Sequence, residues 1–108
     1  MFTDIVGYSK LTGDDQNLAL ELLKEHDKVI EPIIKRYNGA IVKRIGDAIV
    51  AIFEDASDTI QSSIEIQQSL KNRNNRSIES RHIILRIGLH YGEIIMKKTI
   101  FFLVIVLL

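Results

Sequence analysis

Apolar side chains recur before Gly92 with two different periods, and the switches between them mark the predicted elements. Phe2, Ile5 and Val6 around Asp4, closed by Gly7, read as a short buried strand, and one that starts at the first residue reads as trimmed. From Asp14 or Asp15 to about Tyr37, Leu18, Leu22, Val29, Ile33 and Tyr37 fall at helical spacing, with Leu23, Ile30 and Ile34 widening the stripe. Thr12, Gly13 and Asp14 offer capping chemistry at its start, and Asn38-Gly39 supplies a stop. Glu31 and Lys35 stand at pairing distance on this helix, and Pro32 inside it predicts a kink. Residues 40–45 and 48–53 are β-branched runs separated only by Gly46-Asp47, which predicts a tight hairpin with Asp47 at its tip. Asp55 then opens a second helix reaching about Lys71, with Ile60, Ile64 and Leu70 inward. Residues 72–80 read as a polar loop, and Ile83 to His90 as a last strand ending at Tyr91-Gly92. Strand, helix, hairpin, helix and strand in this order predict an α+β sandwich.

The pattern changes after Gly92. Ile94-Ile95-Met96 is followed by Lys97-Lys98-Thr99 and then by the unbroken apolar run Ile100–Leu108. A membrane helix needs roughly 18–20 apolar residues, so this run is too short to span a bilayer. It is, however, uncharged, proline-free and β-prone, a composition that favours either patching an open sheet or aggregating.

Composition narrows the function classes. Fourteen Lys and Arg balance fourteen Asp and Glu, which argues against a general polyanion binder. Lys71, Arg73, Arg76 and Arg81 have no aromatic residues interleaved, so they read as a solvated loop and not a nucleic-acid patch. The absence of cysteine removes disulfides, thiolate metal sites and cysteine nucleophiles. The N-terminus carries no basic segment leading into an apolar run, so no secretory signal is expected and the cytoplasm is the default location. His26, His82 and His90 lack ligand spacing and read as helix-face or strand residues.

The informative pair is Asp4, at the end of the first strand, and Asp47, at the hairpin tip. If the hairpin lies beside the first strand in one antiparallel sheet, both carboxylates reach the same sheet end, where a cation is needed to relieve their repulsion. Hard oxygen ligands without His or Cys favour Mg²⁺ or Mn²⁺, ions that take further ligands from substrate phosphates. Either aspartate alone is an ordinary turn or strand-end residue. Their setting adds more. Phe2-Thr3-Asp4-Ile5-Val6-Gly7-Tyr8-Ser9, Lys43-Arg44-Ile45-Gly46-Asp47-Ala48 and Arg86-Ile87-Gly88-Leu89-His90-Tyr91-Gly92-Glu93 occur in this order and spacing. Together they resemble the class III adenylyl/guanylyl cyclase catalytic domain over residues 1–96.

The resemblance implies a ferredoxin-like βαββαβ sandwich with an antiparallel sheet, incomplete at its C-terminal end. It implies two metal ions, Mg²⁺ or Mn²⁺, held by Asp4, Asp47 and the backbone carbonyl of Ile5. The amides of Ile5, Val6, Gly7, Tyr8 and Ser9 would approach a nucleoside triphosphate, with Gly7 allowing close contact. The implied reaction is attack of the ribose 3′ hydroxyl on the α-phosphorus, giving a 3′,5′-cyclic monophosphate and pyrophosphate. Lys43 matches the family's purine-selecting position. An ammonium only donates hydrogen bonds, which suits N1 of adenine and makes ATP the expected substrate.

The family's domain continues into a Gly-Asp element and a Val-Asn-x-x-x-Arg type helix, and catalysis occurs at a head-to-tail dimer interface. Residues 97–108 bear no likeness to that continuation and read as an atypical tail from an altered or truncated frame. A homodimer or a pairing with another cyclase protomer is therefore expected, with little activity from the chain alone. The competing readings are a non-catalytic nucleotide-binding or dimerisation partner of an intact cyclase, and a short membrane-associated protein. The Gly-Gly-Asp/Glu-Glu-Phe hairpin of diguanylate-forming cyclases is absent at residues 45–49.

Overall fold

A computed structural model describes residues 1–96 and 99–102. Along the chain these form β1 (Phe2–Ile5), α1 (Tyr8–Asp14), α2 (Gln16–Arg36), β2 (Ala40–Ile45), β3 (Ala48–Ile52), α3 (Ala56–Asn74), a 3-10 turn (Glu79–Arg81), β4 (Leu85–Gly88), β5 (Glu93–Met96) and β6 (Thr99–Phe102). The first four strands make one antiparallel sheet in the order β2-β3-β1-β4, the ferredoxin-like arrangement. β1 is thus interior, paired with β3 through Phe2↔Val50 and Thr3↔Ile49, and with β4 from Phe2↔Gly88 to Ile5↔Leu85.

Alternation along the strands explains how the layers meet. Thr3 and Ile5 of β1 and Leu85 and Ile87 of β4 are buried. Their neighbours Phe2, Asp4 and Arg86 alternate to the opposite face. The core joins Ile5, Leu85 and Ile87, with Ile49, Ala51 and Phe53, to Leu22, Ile30, Ile33 and Ile34 of α2 and to Ile66 and Leu70 of α3. β3 is buried at four of its five positions, as a central strand should be, whereas β2 is an exposed edge.

Several expected local features take a different form. The capping residues Thr12, Gly13 and Asp14 lie inside α1, an element the apolar pattern does not reveal because none of its residues is buried. Asp15 instead ends α1 and caps α2, its Oδ1 accepting the Leu18 amide at 3.1 Å. α2 runs through Pro32 as a single helix to Arg36. Its end closes with Asn38 at φ 63°, the Gly39 amide donating to the Ile34 carbonyl at 2.8 Å. Asn38 therefore takes the left-handed position that a helix C-terminus favours. Gly39 serves a different purpose, since a Cβ there would stand 2.5 Å from Phe53 Cε1. Glu31 turns to Arg44 of β2, not to Lys35.

α3 corrects the inward face predicted for it. Asp55 does cap it, accepting the Ser57 amide at 2.7 Å. Ile60 and Ile64, however, are exposed, and the buried stripe is Thr59, Ser62, Ser63, Ile66, Leu70 and Asn74. The two serines satisfy their hydroxyls on the Thr59 carbonyl, at 2.9 and 2.8 Å, so small polar residues can be buried against a neighbour without loss. α3 also extends past Lys71 to Asn74, taking the first part of the predicted loop. The Asn74 side chain brackets Ile83 on both its amide and its carbonyl, at 2.9 and 2.8 Å, so the predicted strand begins only at Leu85. Arg73 and Arg81 of the supposedly solvated cluster reach Glu25 and Glu21 of α2.

β5 and β6 pair with each other as a separate two-stranded sheet, from Glu93↔Phe102 to Met96↔Thr99. Residues 99–102 of the expected tail are thus one arm of a hairpin. Lys97, Lys98 and residues 103–108 lie outside the described residues. No helix among the described residues is long and apolar enough to cross a membrane.

Two outcomes follow for stability. Gly39→Ala should destabilise the fold by about 1–3 kcal/mol through overpacking against Phe53 and Ile34, read from urea unfolding. His26 is fully buried in α2, its Nδ1 donating to Asp27 Oδ1 at 2.9 Å while Nε2 has no partner among the described residues. Burial lowers its pKa from the ordinary 6.5, against the opposing pull of Asp27. The unfolded state therefore binds the proton first as pH falls through 6.5, and stability drops with it until the lower folded pKa is passed. His26→Met should flatten that acid-side loss in urea midpoints measured between about pH 7.5 and pH 5.

Candidate functional site

The end of β1 is where the sheet hands over to side chains. Ile5 is the last residue of the strand, and its amide donates to Oδ2 of Asp47 at 2.7 Å. The carboxylate thus caps β1 from the turn between β2 and β3, and the turn geometry permits it. Ile45↔Ala48 is the closing pair, and Gly46 alone has positive φ, at 57°. This is the glycine-first form of a two-residue hairpin turn, and it places Asp47 beside β1.

Asp4 sits one residue earlier on the opposite face and lies directly across from Arg86 in the β1–β4 register. Arg86 grips both its oxygens, Nε to Oδ1 at 2.8 Å and Nη2 to Oδ2 at 3.0 Å. This hydrogen-bonded carboxylate, and then its charge, raise the Arg86 pKa above its already high ordinary value. Asp4, Asp47 and Arg86 line one open pocket of about 220 Å³ with Ile5, Gly7, Tyr8, Ser9, Lys10 and Ala48.

The chain between Ile5 and Ser9 forms the floor of this pocket. Gly7 adopts φ 75° and starts α1, whose N-terminus carries no side-chain cap. First-turn amides of a helix have no intrahelical acceptor, so those of Tyr8 and Ser9 are open to a ligand. The Ile5 amide is spent on Asp47, and that of Val6 donates to the Ile84 carbonyl at 2.8 Å. Of the five amides named from the sequence, those of Ile5 and Val6 are thus already engaged within the fold. A side chain at Gly7 would meet no neighbour within 4 Å, so glycine is required there by the backbone angle and not by space.

Lys43 is not in the pocket. A β-bulge lies between Ile41 and Lys43, with Ile41 opposite Ala51 and Lys43 opposite Val50. The extra residue, Val42, shifts the alternation and brings Lys43 into one cross-strand row with Val50 and Phe2. Lys43 therefore belongs to the sheet face that carries Phe2 and Asp4, away from the helices. Arg44, next along, points to the helical face and reaches Asp27, at 3.3 Å, and Glu31. This pairing ties the hairpin that carries Asp47 to α2.

Arg86 and Lys10 are pocket residues that the sequence does not single out. Lys10 belongs to the unforeseen α1, and only the β1–β4 register shows that Arg86 faces Asp4. No group of three or more His, Cys, Asp or Glu side chains suited to a metal occurs among the described residues. Two carboxylates are nevertheless sufficient for Mg²⁺ or Mn²⁺, which keep water and complete their shells with substrate phosphates. Asp47 uses one oxygen on the Ile5 amide, and among the described residues Asp4 is held by an arginine whose side chain is 67% exposed. The donor set thus fits such a cation, with Asp4, Asp47 and the Ile5 carbonyl as the groups available to hold it.

Comparison with known proteins shows the family. The family described as the adenylate and guanylate cyclase catalytic domain matches residues 1–99, and the chain belongs to it. A Rhizobium meliloti (strain 1021) protein provisionally named adenylate cyclase 3 is 32% identical over 97 residues, covering 89% of this chain and 16% of that protein. The adenylate cyclase of Anabaena cylindrica is 30% identical over 105 residues, covering 89% of this chain and 21% of its own length. Among solved structures, the adenylate/guanylate cyclase/hydrolase from Silicibacter pomeroyi superposes with a TM-score of 0.78 at 31% identity, covering 92% of this chain and 59% of that one. The chain therefore spans a minor part of the two curated relatives and somewhat over half of the solved domain.

The Asp47–Ile5 contact makes a stability prediction independent of catalysis. Asp47→Ala leaves a part-buried amide without an acceptor and should cost about 1–2 kcal/mol, whereas Asp47→Asn keeps an acceptor oxygen and should stay within about 0.5 kcal/mol of the parent. Urea unfolding of the two variants checks the difference.

Proposed function

We propose that residues 1–96 form the metal- and polyphosphate-holding half of a nucleotide cyclase centre that converts ATP to 3′,5′-cyclic AMP and pyrophosphate. The observation that carries this reading is the meeting of Asp4 and Asp47, from opposite ends of a strand–helix–hairpin unit, on one pocket. Asp4, Asp47 and the Ile5 carbonyl hold two ions, Mg²⁺ or Mn²⁺. Such ions, when bound, acidify the ribose 3′ hydroxyl and neutralise the departing pyrophosphate. The uncapped amides from Gly7 to Ser9 donate to phosphate oxygens, and Lys10 adds a positive charge at the same rim. The hairpin, pinned by Arg44 and by the Ile5 amide, keeps Asp47 in place, so alignment needs no rearrangement at the moment of reaction.

Lys43 serves a second site. Its place on the open sheet face, outside its own chain's pocket, suits a head-to-tail pair in which it reads adenine in the partner's centre. Residues 1–96 supply Asp4, Asp47 and Lys43, and cyclic AMP formation also needs the Asn/Arg pair that the family's continuation contributes.

Titration calorimetry with Mn²⁺–ATP tests the reading. The chain should bind it saturably, and Asp4→Asn or Asp47→Asn should weaken binding roughly tenfold or more, equivalent to about 1.4 kcal/mol. Mixed with a protomer that retains the Asn/Arg pair but lacks its own aspartates, the parent chain should restore cyclic AMP production and the two variants should not. Undiminished nucleotide binding by both variants would overturn the assignment of the pocket. Full cyclase activity of residues 1–96 by themselves would overturn the need for that pair.

A further inference from the structure

α2 carries a short polar chain that does not line the pocket but ends on the hairpin that does. His26 is fully buried. The Asp27 carboxylate only accepts, so the neutral ring carries its proton on Nδ1 and donates it to Asp27 Oδ1 at 2.9 Å. The same Oδ1 accepts from Arg44 Nη1 at 3.3 Å, and Arg44 Nη2 reaches Glu31. Arg44 adjoins the closing pair Ile45↔Ala48 of the turn that carries Asp47. Every residue of β2 except Ile41 is exposed, so at the turn end of this strand the hold on α2 passes through Arg44.

We infer that His26 is a positioning residue for Asp47: its Nδ1–H aims Asp27 at Arg44, Arg44 holds the end of β2 on α2, and the hairpin tip stays where Asp47 meets the Ile5 amide. The consequence for nucleotide binding rests on the reading of the pocket as a metal and nucleotide site. The relay works with the neutral ring. A proton on Nε2 would put a second N–H where that atom has no partner among the described residues, and a buried donor without an acceptor is costly. Burial lowers the His26 pKa from the ordinary 6.5, against Asp27 of α2 and Asp47 of the turn, which favour the charged ring, and together with Arg44 of β2, which opposes it. An arrangement with the ring swung out to solvent therefore takes up a proton first as pH falls through 6.5, and the hold on Asp47 weakens on the acid side.

Amide hydrogen exchange of the full chain, read by NMR and corrected for intrinsic rates, tests the relay without metal or nucleotide. The Ile5 amide reports the Asp47 contact. The Val6 amide, on the Ile84 carbonyl, and the Ile83 amide, on Asn74 Oδ1, report the neighbouring strand pairing and the far end of α3. His26→Leu and Arg44→Gln should each lower Ile5 protection about tenfold at about pH 7.5, with Val6 and Ile83 little changed. His26→Asn, whose amide donates from near the place of Nδ1 and does not titrate, should match the parent there and, unlike the parent, keep its Ile5 protection relative to Val6 at about pH 5.5. Calorimetric affinity for Mn²⁺–ATP should fall and recover in the same order as Ile5 protection. Arg44 is partly exposed, so Arg44→Gln and His26→Asn decide the question even where His26→Leu does not fold. Ile5 protection equal to the parent's in Arg44→Gln, or falling only in step with Val6 and Ile83, would overturn the positioning role, as would an acid-side loss in His26→Asn as large as the parent's. Selective loss at Ile5 with Mn²⁺–ATP affinity unchanged would uphold the relay and overturn the reading of the pocket.

Discussion

The hydrogen bond from the Ile5 amide to the Asp47 carboxylate is the constraint on which the site depends. β1 is an interior strand, and at its end the ladder to β3 gives way to the turn. A part-buried strand amide needs an acceptor, and here the acceptor is a side chain from the hairpin tip at 2.7 Å. A need of the fold is thereby met by a group with chemical capacity. The same contact that completes β1 carries Asp47 to within one pocket of Asp4, and the glycine angles at positions 7 and 46 let the chain turn away on both sides.

The charge arrangement around that contact divides into two systems. On the helical face, Arg44 links the hairpin to Asp27 and Glu31 of α2, and Arg73 and Arg81 link the end of α3 and its following turn to Glu25 and Glu21. These pairs orient elements and do not line the pocket. At the sheet end, Asp4, Asp47, Arg86 and Lys10 form a balanced set around an open volume. Its members are held by exposed or single contacts that a ligand can replace.

Much of this could be read from the residues in order. The βαββαβ succession, the Gly46-Asp47 turn, the Asp55 cap and the convergence of Asp4 with Asp47 follow from short-range patterns and the pairing rules of antiparallel sheets. The features that could not be read depend on distance or on competition. α1 has no fully buried residue, only Tyr8 and Leu11 packed partly against the core, and so leaves no apolar period. The inward face of α3 is carried by Thr59, Ser62 and Ser63, whose burial depends on hydroxyls bonded back to their own helix, while Ile60 and Ile64 stay outside. Glu31 has two partners within reach and takes Arg44. Arg86 lay within a recognised motif, but its role at Asp4 became visible only with the β1–β4 register.

Membership of the adenylate and guanylate cyclase catalytic domain family gives the sheet-end pocket its chemical setting, and the central claim is that a divalent cation enters between Asp4 and Asp47. Backbone amide NMR of the uniformly ¹⁵N-labelled chain during addition of substoichiometric Mn²⁺ measures this most directly, because paramagnetic broadening falls steeply with distance from the ion. The account predicts that the amides of Ile5, Gly7, Tyr8, Ser9, Asp47 and Ala48 broaden first. Broadening that begins instead at the α2 carboxylates Glu21, Glu25 and Glu31, with the pocket amides unaffected, would contradict it.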